Sequence, residues 1–98
     1  MPLPAVITPA TRVKPAKDVL YRDLVGESVL LDVASGSYFG LDEVGTRIWA
    51  LLVAGEPLDR IVAILAAEYD APADRLRADL LALVEELHAS RLVVVEEA

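Results

Sequence analysis

The side chains that could support catalysis are few, and they do not form a catalytic set. His88 is the only histidine, so an imidazole-based metal site has no second ligand and a hydroxyl nucleophile would depend on this one base. Glu85 and Glu86 are adjacent, and adjacent side chains diverge on a helix or a strand. We therefore interpret His88 as a partly solvated residue near a helix C-terminus, and the adjacent carboxylates as solubilising charges or caps.

Cofactor and metal chemistry are not indicated either. The chain has no cysteine, which excludes disulfides, thiolate ligands and cysteine nucleophiles. Gly36 and Gly40 are not followed by the lysine and the helix of a phosphate-binding loop. We predict that the chain is not an enzyme and that it has no catalytic residue, no cofactor and no metal.

Three further side chains are candidates for binding rather than for catalysis. Trp49 shares a helical face with apolar residues, which favours a core anchor over a binding residue. Arg75 and Arg77 flank the start of a predicted helix. They are either solvated charges or partners for an acidic group on a bound peptide.

Composition limits the classes of partner and the size of the domain. With 98 residues, of which 55% are hydrophobic, the chain forms one domain with a single core. The formal net charge of −7 opposes binding to a phosphate backbone, so we expect no nucleic-acid partner. No apolar run approaches the length of a membrane span. We expect a cytoplasmic protein that does not contact membranes.

The element around which these residues are arranged is a strand that changes directly into a helix. The hydrophobic period changes from two to about 3.6 after Tyr38–Leu41. Asp42 is placed to cap the first helical turn, and Gly55 is placed to end the helix. The predicted strands span residues 18–24, 28–33 and 38–41, the predicted helices span about 43–54, 58–68 and 73–90, and a last strand candidate lies at 92–95.

The ends of the domain and its topology follow from the same patterns. Residues 1–17 contain four prolines, so we predict a flexible N-terminal arm, in which residues 11–13 could form a short strand, and a domain at 18–95. A four-residue loop at 34–37 would pair Leu31 with Gly40. The prediction is an α+β fold, with a three-stranded antiparallel sheet followed by three helices.

The strand Tyr38–Leu41 could be a sheet edge that accepts another extended chain. An unpaired edge exposes N–H and C=O groups that a second chain can satisfy. Phe39 and Leu41 would then line a groove with leucines of the third helix, Leu76, Leu80 or Leu83. The alternative is that these residues belong to the core.

Several segments together resemble the PqqD-like family, the precursor-peptide recognition domains of ribosomally made, modified peptides. The similarity extends from about residue 20 to 92. It is carried by Val29-Leu30-Leu31-Asp32, Ser35-Gly36-Ser37-Tyr38-Phe39-Gly40-Leu41-Asp42, Gly45-Thr46-Arg47-Ile48-Trp49, Glu68-Tyr69 and Asp79-Leu80.

The resemblance implies a winged-helix-like domain that binds an extended leader peptide without catalysing a reaction. The leader would add to the third strand and lie against the third helix. The residues that would bind it are Ser37, Tyr38, Phe39, Gly40, Leu41, Arg75, Leu76, Asp79, Leu80 and Leu83. A separate enzyme would then act, a leader peptidase followed by a cyclase in lasso peptide biosynthesis. The alternative within the family is a peptide chaperone for a radical SAM enzyme in pyrroloquinoline quinone biosynthesis.

Two alternatives come from other functional classes. A winged-helix DNA-binding regulator has a similar architecture, but the acidic residues of the third helix would repel phosphates. A homodimer that pairs through the edge strand would use the same backbone groups as a bound peptide.

Overall fold

The chain folds into two antiparallel sheets and three helices. The computed structural model describes residues 10–96, so most of the predicted arm lies outside the described residues. The elements are β1 (Arg12–Pro15), β2 (Val19–Leu24), β3 (Glu27–Asp32), β4 (Tyr38–Leu41), α1 (Glu43–Val53), α2 (Leu58–Glu68), α3 (Ala73–Ala89) and β5 (Val93–Glu96). Strands β2, β3 and β4 form a meander, and β1 pairs with β5. The predicted three-stranded sheet followed by three helices is confirmed, with a second sheet added.

The register of the β3–β4 hairpin differs by two residues from the prediction. Leu31 lies opposite Tyr38, whereas the prediction paired it with Gly40. The carboxylate of Asp32 accepts a hydrogen bond from the Ser35 hydroxyl at 2.8 Å, and this local turn closes the hairpin earlier on β3. Because a shift of two residues preserves the side-chain alternation, each side chain of the hairpin keeps the face of the sheet that the predicted register gives it.

Helix α1 begins where the sequence predicts. The Gly45 N–H donates to the Asp42 carboxylate at 2.8 Å, which makes Asp42 the N-cap. Gly55 has a φ of +85°, a value that favours glycine, and the chain turns there towards α2. Within residues 10–96, no helix combines the length and the apolar character that a bilayer span requires.

The core lies between the helices and one face of the β2–β3–β4 sheet. Its largest fully buried side chains include Trp49 of α1 and Leu30 of β3. The Trp49 ring meets the Tyr21 ring edge to face, with centroids 5.6 Å apart and an interplanar angle of 72°. These positions confirm that Trp49 is a core anchor.

The β1–β5 sheet brings part of the predicted N-terminal arm into the folded domain. Val13 of β1 is fully buried, and it lies opposite Val95 of β5. The Leu58 N–H donates to the Thr11 carbonyl at 2.9 Å, which attaches the start of α2 to the residue before β1. The short strand that the sequence allowed near residues 11–13 therefore forms at Arg12–Pro15. Its pairing with β5 was not predicted.

Candidate functional site

Strand β4 presents one free backbone edge. The Asp32 N–H donates to the Ser37 carbonyl at 2.8 Å, so these residues form a hydrogen-bonded pair in the register of the β3–β4 ladder. Hydrogen-bonded and non-hydrogen-bonded pairs alternate in an antiparallel ladder. The N–H and C=O groups of Phe39 therefore face β3, and those of Tyr38 and Gly40 face away from it. No strand within residues 10–96 pairs with this outer side of β4.

A groove lies beside this edge and is bounded by β4, the start of α1 and one face of α3. Its volume is about 490 Å³. The lining residues are Phe39, Gly40, Leu41, Asp42, Val44, Gly45, Ile48, Asp79, Leu83 and Glu86. We call this set the β4–α3 groove. On α3 the lining residues follow the i, i+4, i+7 spacing of a single helical face.

A second depression lies at the hairpin end of β4. There the hairpin residues Asp32, Ala34, Ser35 and Ser37 face Ala89, Ser90 and Arg91 at the end of α3. Strand β4 thus begins near the C-terminus of α3 and runs towards Asp79. The groove lies beside β4 and the second depression lies beside the hairpin that precedes it, so both adjoin the same side of α3.

The structure separates the predicted site residues into three groups. Phe39, Gly40, Leu41, Asp79 and Leu83 line the groove. Ser37 and Tyr38 lie at the start of the free edge, where Tyr38 is 77% exposed. Leu76, Leu80 and Arg75 do not line it.

Leu76 and Leu80 lie in the core. They are 6% and 0% exposed, and they continue into Val84 and Leu87 as the buried stripe of α3. The groove-lining face of α3 is adjacent to this stripe and contains Leu83. The structure therefore corrects the prediction that Leu76 and Leu80 line the groove, because their side chains are buried in the core.

The arginines of α3 pair within their own helix. Arg75 lies 4.0 Å from Asp79, and Arg77 lies 3.1 Å from Asp74. All four side chains are largely exposed, so these pairs contribute little to stability. His88, also on α3, is half-buried, and its Nδ1 has no hydrogen-bond partner among the described residues.

Sequence reasoning missed the contribution of α1 to the groove. Val44 and Ile48 of α1 line it, and so does Glu86, for which the sequence indicated only a solubilising charge or a cap. The signal that could have shown the contribution is Gly45, which occupies a helical first turn despite its low helix propensity. A Cβ at Gly45 would lie 3.2 Å from the Asp42 carboxylate and 3.3 Å from a Leu41 methyl group. The glycine therefore allows β4 and α1 to meet closely at the groove.

The arrangement suits binding of an extended chain. Backbone donors and acceptors are available along β4, and an apolar groove beside them can take alternate side chains. Among residues 10–96, no group of three or more His, Asp or Glu side chains could hold a metal ion.

The sequence is similar to a known protein family and to a bacterial relative. The family model described as Coenzyme PQQ synthesis protein D (PqqD) matches residues 27–93. A PqqA binding protein of Rhizobium meliloti (strain 1021) is 34% identical over 92 residues, which is 92% of each chain.

Two solved structures share the fold. TbiB1 in complex with the TbiA(beta) leader peptide has a TM-score of 0.79 and 36% identity, covering 82% of this chain and 93% of TbiB1. A lasso peptide synthetase B1 complexed with the leader peptide has a TM-score of 0.76 and 24% identity. The match covers 87% of this chain and 98% of the synthetase B1 chain. The identity to the second structure supports similarity of fold alone.

Proposed function

The chain belongs to the PqqD family, and on that premise we propose that it binds the leader region of a ribosomally made precursor peptide by strand addition at β4. The observation that carries this proposal is the free edge of β4 beside an apolar groove. Neither feature alone would suffice, because an edge without a groove offers no selection among side chains.

Strand addition would use the two outward-facing residues of β4. The N–H and C=O groups of Tyr38 and Gly40 would pair with the backbone of the peptide. Successive side chains of a strand point to opposite faces. Every second peptide side chain would therefore enter the groove near Phe39 and Leu83, and the others would lie on the outer face of the sheet.

The relatives support a leader peptide as the ligand. TbiB1 binds the TbiA(beta) leader peptide, and the Rhizobium protein is named for binding PqqA. We assign this chain to lasso peptide biosynthesis, since TbiB1 is similar in fold and, at 36%, in sequence. The second candidate is a peptide chaperone in pyrroloquinoline quinone biosynthesis, which the family description and the Rhizobium protein favour.

In this proposal the chain presents the peptide and performs no reaction. Processing then requires a separate enzyme, a leader peptidase followed by a cyclase. A bound strand would hold the leader along β4 and leave the rest of the precursor accessible to that enzyme. Ser37 and Tyr38 would contact the peptide at the hairpin end, and Asp79 and Leu83 would contact it from α3.

A proline at position 40 tests strand addition directly. The Gly40 N–H faces away from β3, and a Cβ there would meet no atom within 4 Å. Gly40→Pro removes the outward donor at an edge position where proline is tolerated. Two ligands serve as probes: the TbiA(beta) leader peptide, and peptides selected on the wild-type chain from a displayed random library. We expect the Kd of Gly40→Pro for either ligand to be at least about tenfold higher than that of the wild type.

Gly40→Ala is the matched control, because it adds a Cβ and keeps the N–H. Its Kd should stay within about twofold of the wild-type value. Circular dichroism checks that both variants are folded. Equal affinities of Gly40→Pro and Gly40→Ala would refute strand addition at β4, and the absence of any bound peptide would refute peptide binding altogether. A proline at Phe39 would not test this, because the Phe39 N–H faces β3.

A further inference from the structure

The β4–α3 groove has acidic groups on an otherwise apolar lining. Asp79 and Glu86 of α3 stand on either side of Leu83, and Asp42 lies at the end of β4. No lysine or arginine lines this groove. A peptide side chain seated against Leu83 would therefore have a carboxylate on each side.

These groups are spaced closely enough for side chains on one face of an extended peptide to reach them. Asp79 precedes Leu83 by four residues and Glu86 follows it by three, which corresponds to about 6 Å and about 4.5 Å along the helix axis. Side chains on one face of a strand recur every two residues, or about 6.7 Å. A peptide residue opposite Leu83 thus places its i−2 and i+2 neighbours near the two carboxylates.

The two carboxylates differ in how free they are to bind a cation. Asp79 lies 4.0 Å from Arg75, and its side chain is 64% exposed. Glu86 has no ion-pair partner within the described part of the chain, between residues 10 and 96. A peptide lysine or arginine can therefore pair with Glu86 without breaking an existing ion pair.

Lysine and arginine suit this groove better than other polar residues. Their apolar stems can pack along apolar surface while the charged end reaches a carboxylate at the rim. Phe39 and Val44 supply that apolar surface between β4 and the start of α1. A short polar side chain would leave both the apolar surface and Glu86 without a partner.

We propose that Glu86 and Asp79 select the bound peptide by charge, so that the recognised segment has an apolar residue with a lysine or arginine two positions away. The inference rests on the proposed function and adds to it the chemical class of the peptide.

The experiment is a selection of displayed random 12-residue peptides on three immobilised proteins, the wild type, Glu86→Lys and Glu85→Lys. We expect the wild type to enrich lysine or arginine two positions from an apolar residue. Glu86→Lys should lose this enrichment. Both side chains are exposed, so neither substitution is expected to disturb the fold, and thermal melts check this.

Glu85→Lys is the matched control because Glu85 is adjacent, exposed and outside the groove lining. It changes the net charge by the same amount as Glu86→Lys. For a synthetic peptide from the wild-type selection, Glu86→Lys should raise Kd about tenfold, since an attraction becomes a repulsion, and Glu85→Lys less than about twofold. If Glu86→Lys is unfolded, Glu86→Gln replaces it, with Glu85→Gln as the control.

The outcomes separate this inference from the proposed function. Equal effects of the two substitutions would show that net charge alone attracts basic peptides, and would overturn selection at Glu86. The selection on the wild type could also yield peptides without enriched basic residues, and this would overturn charge selection at Glu86. If those peptides still bind Gly40→Pro more weakly, strand addition stands. A selection that yields no binders would overturn both.

Discussion

Asp42 is both a helix cap and a groove residue, and a pair of substitutions can test its capping role. Its carboxylate caps α1 through the Gly45 N–H, and it also lines the β4–α3 groove. Asparagine caps helices about as well as aspartate, whereas alanine does not. We expect Asp42→Ala to lower the free energy of unfolding by about 1 kcal/mol and Asp42→Asn to change it little, measured by urea denaturation. An equal loss in both variants would mean that charge at the helix N-terminus, rather than the hydrogen bond, stabilises α1.

The ion pair between α1 and α2 predicts a pH dependence of stability. Arg47 donates to both carboxylate oxygens of Glu68, at 2.8 and 2.6 Å, and this hydrogen bonding lowers the pKa of Glu68 below its ordinary value. A carboxylate with a depressed folded-state pKa stabilises the fold above its unfolded pKa, and this contribution is lost as the pH falls through the folded pKa.

We therefore expect Glu68→Gln to lower the Tm at neutral pH, and the difference from the wild type to shrink towards zero in acid. Thermal melts at about pH 7 and about pH 3 measure it. Glu85→Gln is the control, since Glu85 has no ion-pair partner between residues 10 and 96. A pH-independent difference for Glu68→Gln would contradict the assignment.

Residue-level prediction succeeded where the determinant is local. The cap at Asp42 and the burial of Trp49 follow from one turn of sequence. It failed for Leu76 and Leu80, because a wide apolar stripe does not reveal which edge of it meets solvent. The sequence placed all three leucines of α3 together, but only Leu83 lies at the margin of the stripe where the groove forms.

At the scale of elements, β1 determines where the folded domain begins. Val13 is fully buried and lies among core residues, although it belongs to a segment that the sequence described as an arm. Removing two methyl groups there and leaving a cavity should cost about 2 kcal/mol. We expect Val13→Ala to lower the free energy of unfolding by this amount in urea denaturation.

The matched control for Val13→Ala is Val94→Ala on the paired strand β5. Val94 is 41% exposed, so its truncation should cost less than about 1 kcal/mol. Similar losses at the two positions would show that β1 does not pack into the core as described.

The pairing of β1 with β5 explains why topology was harder to predict than the helices. The bounds of α2 matched the prediction at both ends, because helical periodicity and the proline that precedes the helix are local signals. Strands at opposite ends of the chain pair over some 80 intervening residues, and no local pattern encodes that contact. The β3–β4 register was missed for a related reason, since the side chain of Asp32 shortened β3 relative to its hydrophobic pattern.

At the scale of the whole molecule, charge and free backbone edges determine which partners the chain can take. The net charge of −7 disfavours nucleic acid, and the acidic groove residues extend this character into the proposed site. An apolar row on the outer sheet face, Leu20, Leu31 and Tyr38, lies next to the free edge of β4. A peptide strand at β4 would extend this face by one strand, so binding would change the surface that other proteins meet.

The same edge could also pair with a second copy of the chain, and the two uses exclude each other. Tyr38 and Gly40 supply one set of outward N–H and C=O groups, which a peptide or another β4 can occupy, but not both. We expect the chain saturated with a labelled peptide to sediment as a monomer at every concentration, including those at which the free chain associates. Gly40→Pro should weaken any association of the free chain together with its peptide affinity, because both depend on the same donor. A dimer that sediments with bound peptide would show that self-association uses another surface. The exposed apolar row containing Leu20 would then be tested first, with the variant Leu20→Lys.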